Sequence, residues 1–331
     1  MNYTASSSRY QTAMEYPLCG KSGLRLPRLS LGLWHNFGDV DRFDTATAMI
    51  HYAFDHGITH FDLANNYGPP YGTAEANFGR IYKASLRPYR DELIISSKAG
   101  HDMWPGPYGD GSSRKMLMAS IDQSLKRTGL DYFDIFYSHR YDGITPIEET
   151  MQALVDIVKQ GKALYAGISK YPAPLARKCY EYLAAHGVRC LIHQDKHNLL
   201  DREMEAEILP LVDRQGVGFI SFSPLAQGLL TSRYLKDIPA DSRAARSTGY
   251  LQLDQVNQAV LTKVRALNEV AQSRGESLAA MALAWVLNDK RVTSCIIGCS
   301  SVAQLQENLN VLTSPPFTRD QLKEIERICL G

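Results

Sequence analysis

Eight short apolar runs of strand character, each followed by a longer stretch of helical period, recur along the whole chain. The runs fall at 29–33, 60–64, 93–98, 133–139, 163–169, 191–194, 218–224 and 294–298. Several are apolar almost throughout, the pattern of parallel strands buried on both faces. Helical patterns lie near 44–56, 74–86, 114–128, 147–160, 174–186, 203–215, 257–287 and 301–312. Gly57, Gly129, Gly161, Gly187 and Gly216 stand where a helix C-terminus is expected before the chain returns to a strand. Eight such βα units leave two architectures, a closed (β/α)8 TIM barrel or a doubly wound open sheet. No GxGxxG follows any strand run and no Walker A sequence occurs, so the open sheet lacks its phosphate-binding signature. The α/β barrel is the expected fold.

Two additions to a bare barrel are read from the same pattern. The run YPLCGKSGLRL at 16–26 resembles a β-hairpin around a Gly-Lys-Ser-Gly turn, placed to plug the bottom of the barrel. Residues 225–256 form a long loop after strand 7, basic at Arg233, Lys236, Arg243 and Arg246. Barrels commonly bind phosphate at that position. Residues 1–15 lack the apolar stretch of a signal peptide and are expected to be a poorly ordered tail. With no linker or low-complexity tract, 16–331 reads as a single barrel domain.

A net charge of +1 gives no electrostatic footprint for nucleic acid or a membrane surface. No apolar run approaches the ~18 residues of a membrane helix. The six cysteines form no CxxC pair and no metal-ligand spacing, so no metal is expected. They read as reduced thiols of a cytoplasmic protein. A homo-oligomer is left open.

Lys98 and His139 end two of the strand runs, Tyr67 follows a third and Asp62 lies within it, and the C-terminal strand ends of a barrel open on one face. A carboxylate, phenol, ammonium and imidazole brought together there suit carbonyl reduction by hydride. Tyr can protonate the new alkoxide, but its usual pKa of ~10 is high for that task near neutrality. A neighbouring cation favours the phenolate and lowers it. The carboxylate keeps the ammonium charged, and the imidazole orients and polarises the carbonyl. Two other readings of Lys98 stay open: a structural ion pair with Asp62, and a Schiff-base lysine of a lyase or aldolase, which Asp62 opposes by holding the charge.

The motifs FDLANNYG (61–68), SK (97–98), YSH (137–139), GIS (167–169), HQ (193–194), FSPLAQG (222–228) and GCSSVAQLQEN (298–308) resemble the aldo-keto reductase superfamily over nearly the whole chain. The Ser-Pro-Leu-Ala and Gln-Leu-x-Glu-Asn blocks resemble the branch containing potassium-channel β-subunits and bacterial L-glyceraldehyde 3-phosphate reductases, and LGLWHNFG (31–38) and DMWPGPYG (102–109) resemble the latter. The resemblance implies Tyr67 as general acid/base, Lys98 and Asp62 as its tuning pair and His139 as the carbonyl-orienting group. It implies NADPH as cofactor, held by a set that includes Trp34, Asp62, Ser169 and Gln194, with Phe222 stacked on the nicotinamide. Ser223, Pro224, Leu225, Ala226 and Gln227 would line the pyrophosphate. Arg233 and Arg243 would face the 2′-phosphate, and Gly298, Ser300, Gln304, Glu307 and Asn308 the adenine end.

One departure stands beside the cofactor contact. The branch usually reads Pro-Ser-Tyr-Asn after His-Gln, whereas this chain has Asp195, Lys196, His197 and Asn198. The function implied is NADPH-dependent reduction of small aldehydes, such as L-glyceraldehyde 3-phosphate or methylglyoxal. The alternative is a cofactor-loaded redox-sensing subunit with little turnover, which in the channel subunits carries Asn where this chain has His139.

Overall fold

The computed structural model describes residues 3–235 and 256–330. Strands β1 (Leu29–Gly32), β2 (His60–Asp62), β3 (Ile94–Ala99), β4 (Phe133–Ser138), β5 (Ala163–Ser169), β6 (Cys190–Lys196), β7 (Gly218–Phe222) and β8 (Val292–Ile297) pair in parallel in chain order. Pairing of β1 with β8 closes the sheet, giving the (β/α)8 barrel. The helices are α1 (Phe43–Asp55), α2 (Thr73–Ile81), α3 (Arg114–Thr128), α4 (Ile147–Lys159), α5 (Ala173–Ala185), α6 (Ile208–Gln215), α7 (Gln258–Ser273), α8 (Leu278–Asn288), α9 (Val302–Leu309) and α10 (Arg319–Leu330).

Each layer follows from its side-chain period. Every residue of β4, FDIFYS, is buried, because one face meets the barrel interior and the other the helices. Helix α4 buries Ile147, Met151, Leu154 and Ile157 at helical spacing against the barrel. The barrel interior is filled by Ile135, Tyr137, Ile192, Ile220 and Ile296. Gly167 belongs to that packing, since a Cβ there would stand 2.5 Å from the Tyr137 ring. The interior is therefore solid, and the cavity described below opens at the C-terminal strand ends.

Several boundaries differ from the sequence expectation. The helical pattern at 257–287 divides into α7 and α8, because Gly275 turns the chain at φ +74 and Ser277 caps a new start by accepting from Ala280 N–H. Helix α10 was not anticipated; its charged surface masks a narrow seam, Ile325 and Ile328, packed beside α7. The pattern at 74–86 is α-helical only to Ile81 and continues as a π turn and a 3-10 stretch to Glu92. The hairpin at 16–26 contracts to one antiparallel bridge, Leu18 with Arg25. It still closes the bottom: Cys19 and Leu26 are fully buried in the barrel-interior cluster.

Residues 3–14, expected to be loose, make specific contacts. Tyr3 stacks on His51 with ring centroids 3.7 Å apart and donates to Asp55 at 3.0 Å. Arg9 pairs with Glu92 at 2.6 Å, and Met14 is buried. Polar composition concealed these anchors, which need partners more than forty residues away.

Candidate active site

A cavity of about 570 Å³ opens at the C-terminal ends of the strands. Asp62 is the last residue of β2 and lies in register with Ser96, two residues before Lys98 on β3. The period of two along a strand turns His60 and Asp62 to one face and Ser96 and Lys98 to the same interior face. Lys98 Nζ stands 2.5 Å from Asp62 Oδ2 and donates to Leu63 O at 2.8 Å. Lys98 is fully buried and Asp62 is 2% exposed. Burial drives the Lys98 pKa below the usual lysine value, and Asp62 opposes that shift. A charge pair at this depth needs every remaining polar atom satisfied.

A buried hydrogen-bond chain meets that need. Ser96 Oγ donates to Asp62 Oδ1 at 2.7 Å, and its oxygen meets His60 Nε2 at 3.0 Å. His60 Nδ1 meets Ser30 Oγ at 2.8 Å, and Ser30 meets Ser294 at 2.7 Å. Because Ser96 spends its proton on Asp62, His60 must donate from Nε2 and accept at Nδ1. Burial lowers the His60 pKa to about 4, so the imidazole is neutral near pH 7. Gln194 Nε2 adds a donor to Asp62 Oδ1 at 3.2 Å. The chain His60–Ser96 was missed in the sequence, although the spacings His-x-Asp and Ser-x-Lys carried the signal.

The His60 shift has a consequence for stability. The unfolded imidazole takes a proton near pH 6.5 but the folded one only near 4. Between those values the unfolded state binds the extra proton, so stability falls as pH drops through the window. At ~1.4 kcal/mol per pKa unit, His60 alone removes roughly 3 kcal/mol by pH 4. Urea denaturation from pH 7 to 4 checks this; a flat profile would mean that folded His60 is already charged.

Tyr67, in the loop after β2, and His139, directly after β4, face each other across the cavity with ring centroids 6.1 Å apart. Lys98 Nζ lies 5.1 Å from the centre of the Tyr67 ring, from beneath. Burial first, then Lys98 and His101, pushes the His139 pKa well below the ordinary histidine value. His139 is thus a neutral imidazole at pH 7, and its buried Nδ1 has no hydrogen-bond partner among the described residues. Trp34 forms a further wall, its ring centroid 6.2 Å from that of Tyr67. His101, Asn66 and Lys170 also line the cavity and were not singled out in the sequence.

From these groups the cavity continues past the ends of β5 to β8. Ser169, Gln194, Phe222, Ser223, Pro224 and Leu225 line it, followed by Gln227, Arg233, Gly298, Ser300 and Gln304. Ser223, Ala226 and Gln227 take φ of +51, +46 and +57, a left-handed run that non-glycine residues adopt only where surroundings enforce it. Asn198 holds the run by donating to Ser223 O at 3.0 Å. Ala226 is buried within this turn rather than lining the cavity. Asn308 is buried one helical turn behind Gln304, and Glu307 is exposed on the same helix. At the start of α9 the N–H of Ser300 donates to Gln304 Oε1 at 2.8 Å. Arg243, Lys236 and Arg246 lie outside the described residues.

Two atoms test whether a long polar cofactor suits this groove. Ser169 Oγ and Asn308 Nδ2 are buried without hydrogen-bond partners among the described residues. Ser169 ends β5 and lines the cavity, and Asn308 lies on α9 behind Gln304. Unpaired buried polar groups call for partners, and Ser169 Oγ meets the cavity where an amide of such a cofactor would supply one. Among the described residues, no group of three or more His, Cys, Asp or Glu could hold a metal ion.

Beside the altered segment 195–198, Gln194 lines the cavity and donates to Asp62. Asp195 turns away from the cavity axis, its Oδ2 3.3 Å from His193 Nε2, and Lys196 pairs with Asp201 at 2.8 Å. His197 is buried against Trp285, with ring centroids 5.2 Å apart.

The aldo/keto reductase family model matches residues 28–329. L-glyceraldehyde 3-phosphate reductases of Escherichia coli O157:H7 and of Escherichia coli strain K12 are 54% identical over 331 residues, covering 99% of this chain and 95% of each relative. A probable voltage-gated potassium channel subunit beta of Arabidopsis thaliana is 36% identical over 324 residues, covering 95% of this chain and 96% of that protein. With a family match of that extent over a closed eight-stranded barrel, the chain belongs to the aldo/keto reductase family.

Proposed function

We propose that this chain is an NADPH-dependent reductase of small aldehydes, with L-glyceraldehyde 3-phosphate and methylglyoxal as candidate substrates. The observation that carries the reading is the stacking of roles: Tyr67 and a neutral His139 at the cavity, with the buried Lys98–Asp62 pair beneath. When bound, the reduced nicotinamide supplies the hydride that reaches the carbonyl carbon. Tyr67 supplies the proton to the carbonyl oxygen. Lys98, held charged by Asp62, favours the phenolate that proton loss leaves behind. His139 orients the carbonyl as a hydrogen-bond donor, and being neutral it leaves the acid role to Tyr67.

Ser169 and Gln194 would hold the carboxamide, Phe222 would offer its face to the ring, and the turn 223–227 would cradle the diphosphate through its backbone. Gln304 and Asn308 would serve the adenine end. The relatives named as reductases support an aldehyde substrate. Reduction is tested by following loss of NADPH absorbance with a panel of small aldehydes, against NADH as control. Tight cofactor binding with no turnover on any aldehyde would favour the redox-sensing subunit instead.

Arg233 would meet the 2′-phosphate that separates NADPH from NADH. A charge-assisted hydrogen bond is worth ~1.5–3 kcal/mol, or roughly ten- to a hundred-fold in affinity. Arg233→Ala is therefore expected to weaken NADPH by that factor, less so at high salt, and to leave NADH unchanged. Equal weakening of both cofactors, read by fluorescence titration, would assign Arg233 to the loop or the diphosphate.

A further inference from the structure

His101 is the second residue after β3 and stands on the cavity wall against His139. The two imidazole centroids are 4.5 Å apart with their planes at 87°, so the edge of one ring meets the face of the other. Tyr67 crosses the His139 ring in the same manner at 6.1 Å. A hydrogen bond at the second ring nitrogen ordinarily sets a histidine's orientation. In His139 that nitrogen, Nδ1, is buried and has no partner among the described residues. The χ2 torsion of a histidine is broad and roughly two-fold, so the plane of this ring is left to packing.

His101 is itself held from both sides. Gly100, at φ +148, lets the backbone pass close to the end of β4: a Cβ there would stand 3.2 Å from His139 Cβ. The approach is tied by His139 N–H donating to Ala99 O at 2.9 Å and Arg140 Nε donating to Gly100 O at 2.8 Å. Arg140 Nη2 also reaches both carboxylate oxygens of Asp110, at 2.9 and 3.0 Å, further along the same loop. Directly after His101, Asp102 accepts from Tyr71 at 2.7 Å. The charged groups around the pair are Lys98, Arg140, Lys170, Asp102 and Asp110. Burial, then Lys170 and Arg140, lowers the His101 pKa to about 4, so near pH 7 two neutral rings meet without repulsion.

We propose that His101 is the positioning residue of His139: ring against ring, it fixes the plane in which His139 offers its hydrogen bond to the carbonyl. Orientation matters there, since a misplacement of about 1 Å at a reacting group can cost on the order of 10²-fold. His101 acts through His139 and needs no contact with substrate of its own. This role deepens the reductase reading and rests on it for the carbonyl; the ring contact does not.

The experiment compares wild type, His101→Ala, His101→Phe and His101→Gln in kcat and KM for aldehyde reduction. The Kd of NADPH and a thermal melt control for binding and folding. His101→Ala is expected to lower kcat on the order of ten- to a hundred-fold with NADPH affinity unchanged. His101→Phe restores most of that loss, because a flat ring suffices. In a His139→Asn background, His101→Ala costs little more, because the group that it orients is gone. Nitrogen NMR of isotope-labelled histidine adds a readout without turnover, the His139 signal being identified by its absence in His139→Asn. That signal is expected to be single in wild type and His101→Phe, and broadened or split in His101→Ala. The same broadening, with no aldehyde reduced by wild type, would sink the reductase reading and leave the positioning contact standing. Additive losses in the double variant, rescue by Gln in place of Phe, or a His139 signal indifferent to His101→Ala overturns the proposal.

Discussion

Tyr67→Phe is expected to abolish aldehyde reduction while NADPH still binds with nearly wild-type affinity. The phenyl ring keeps its place between Trp34 and His139, so the cavity wall survives and only the proton donor is lost. A positioned acid contributes on the order of 10²- to 10⁴-fold. No neighbour can substitute well: His139 is neutral at pH 7, and Lys98 is committed to Asp62 Oδ2 and Leu63 O. Single-turnover rates on the NADPH-loaded protein read the effect without interference from product release. A loss of only a few fold would mean that another group supplies the proton.

Lys98→Met is expected to be comparably inactive, and it carries a second penalty. Removing one partner of a buried ion pair leaves Asp62 charged, 2% exposed and uncompensated. That typically costs ~3–5 kcal/mol, a large part of the ~5–15 kcal/mol by which a domain is stable. Loss of activity alone would then be ambiguous between chemistry and unfolding. The double variant Lys98→Met/Asp62→Asn removes both charges and should recover most of the stability while remaining inactive. Thermal melts and turnover on the two variants separate the effects. Retained turnover in either one would reduce the pair to a structural role.

Strand order, closure and the gathering of Asp62, Tyr67, Lys98 and His139 at one end were legible from the linear pattern. Apolar runs too uniform for a half-exposed strand must lie between two layers, and the C-terminal ends of parallel barrel strands open together. The glycines at 57, 129, 161, 187 and 216 all take positive φ, as a helix terminus before a sharp return requires. Helix ends were less legible. The break at Gly275 reads as one helix from its apolar spacing alone, and α10 hides a narrow apolar seam in a charged sequence.

The sequence by itself determined the barrel and the chemical types at its mouth, because period, run length and residue type are local properties that survive in one dimension. Only the tertiary structure decided which groups are charged and which lack partners. It turned Gln304 onto the N–H of Ser300. It joined Ser294, Ser30, His60, Ser96 and Asp62 into one buried chain whose links span from 30 to 264 positions. Burial and hydrogen-bond satisfaction are sums over neighbours brought together by folding, and neither is written in the order of residues along a strand.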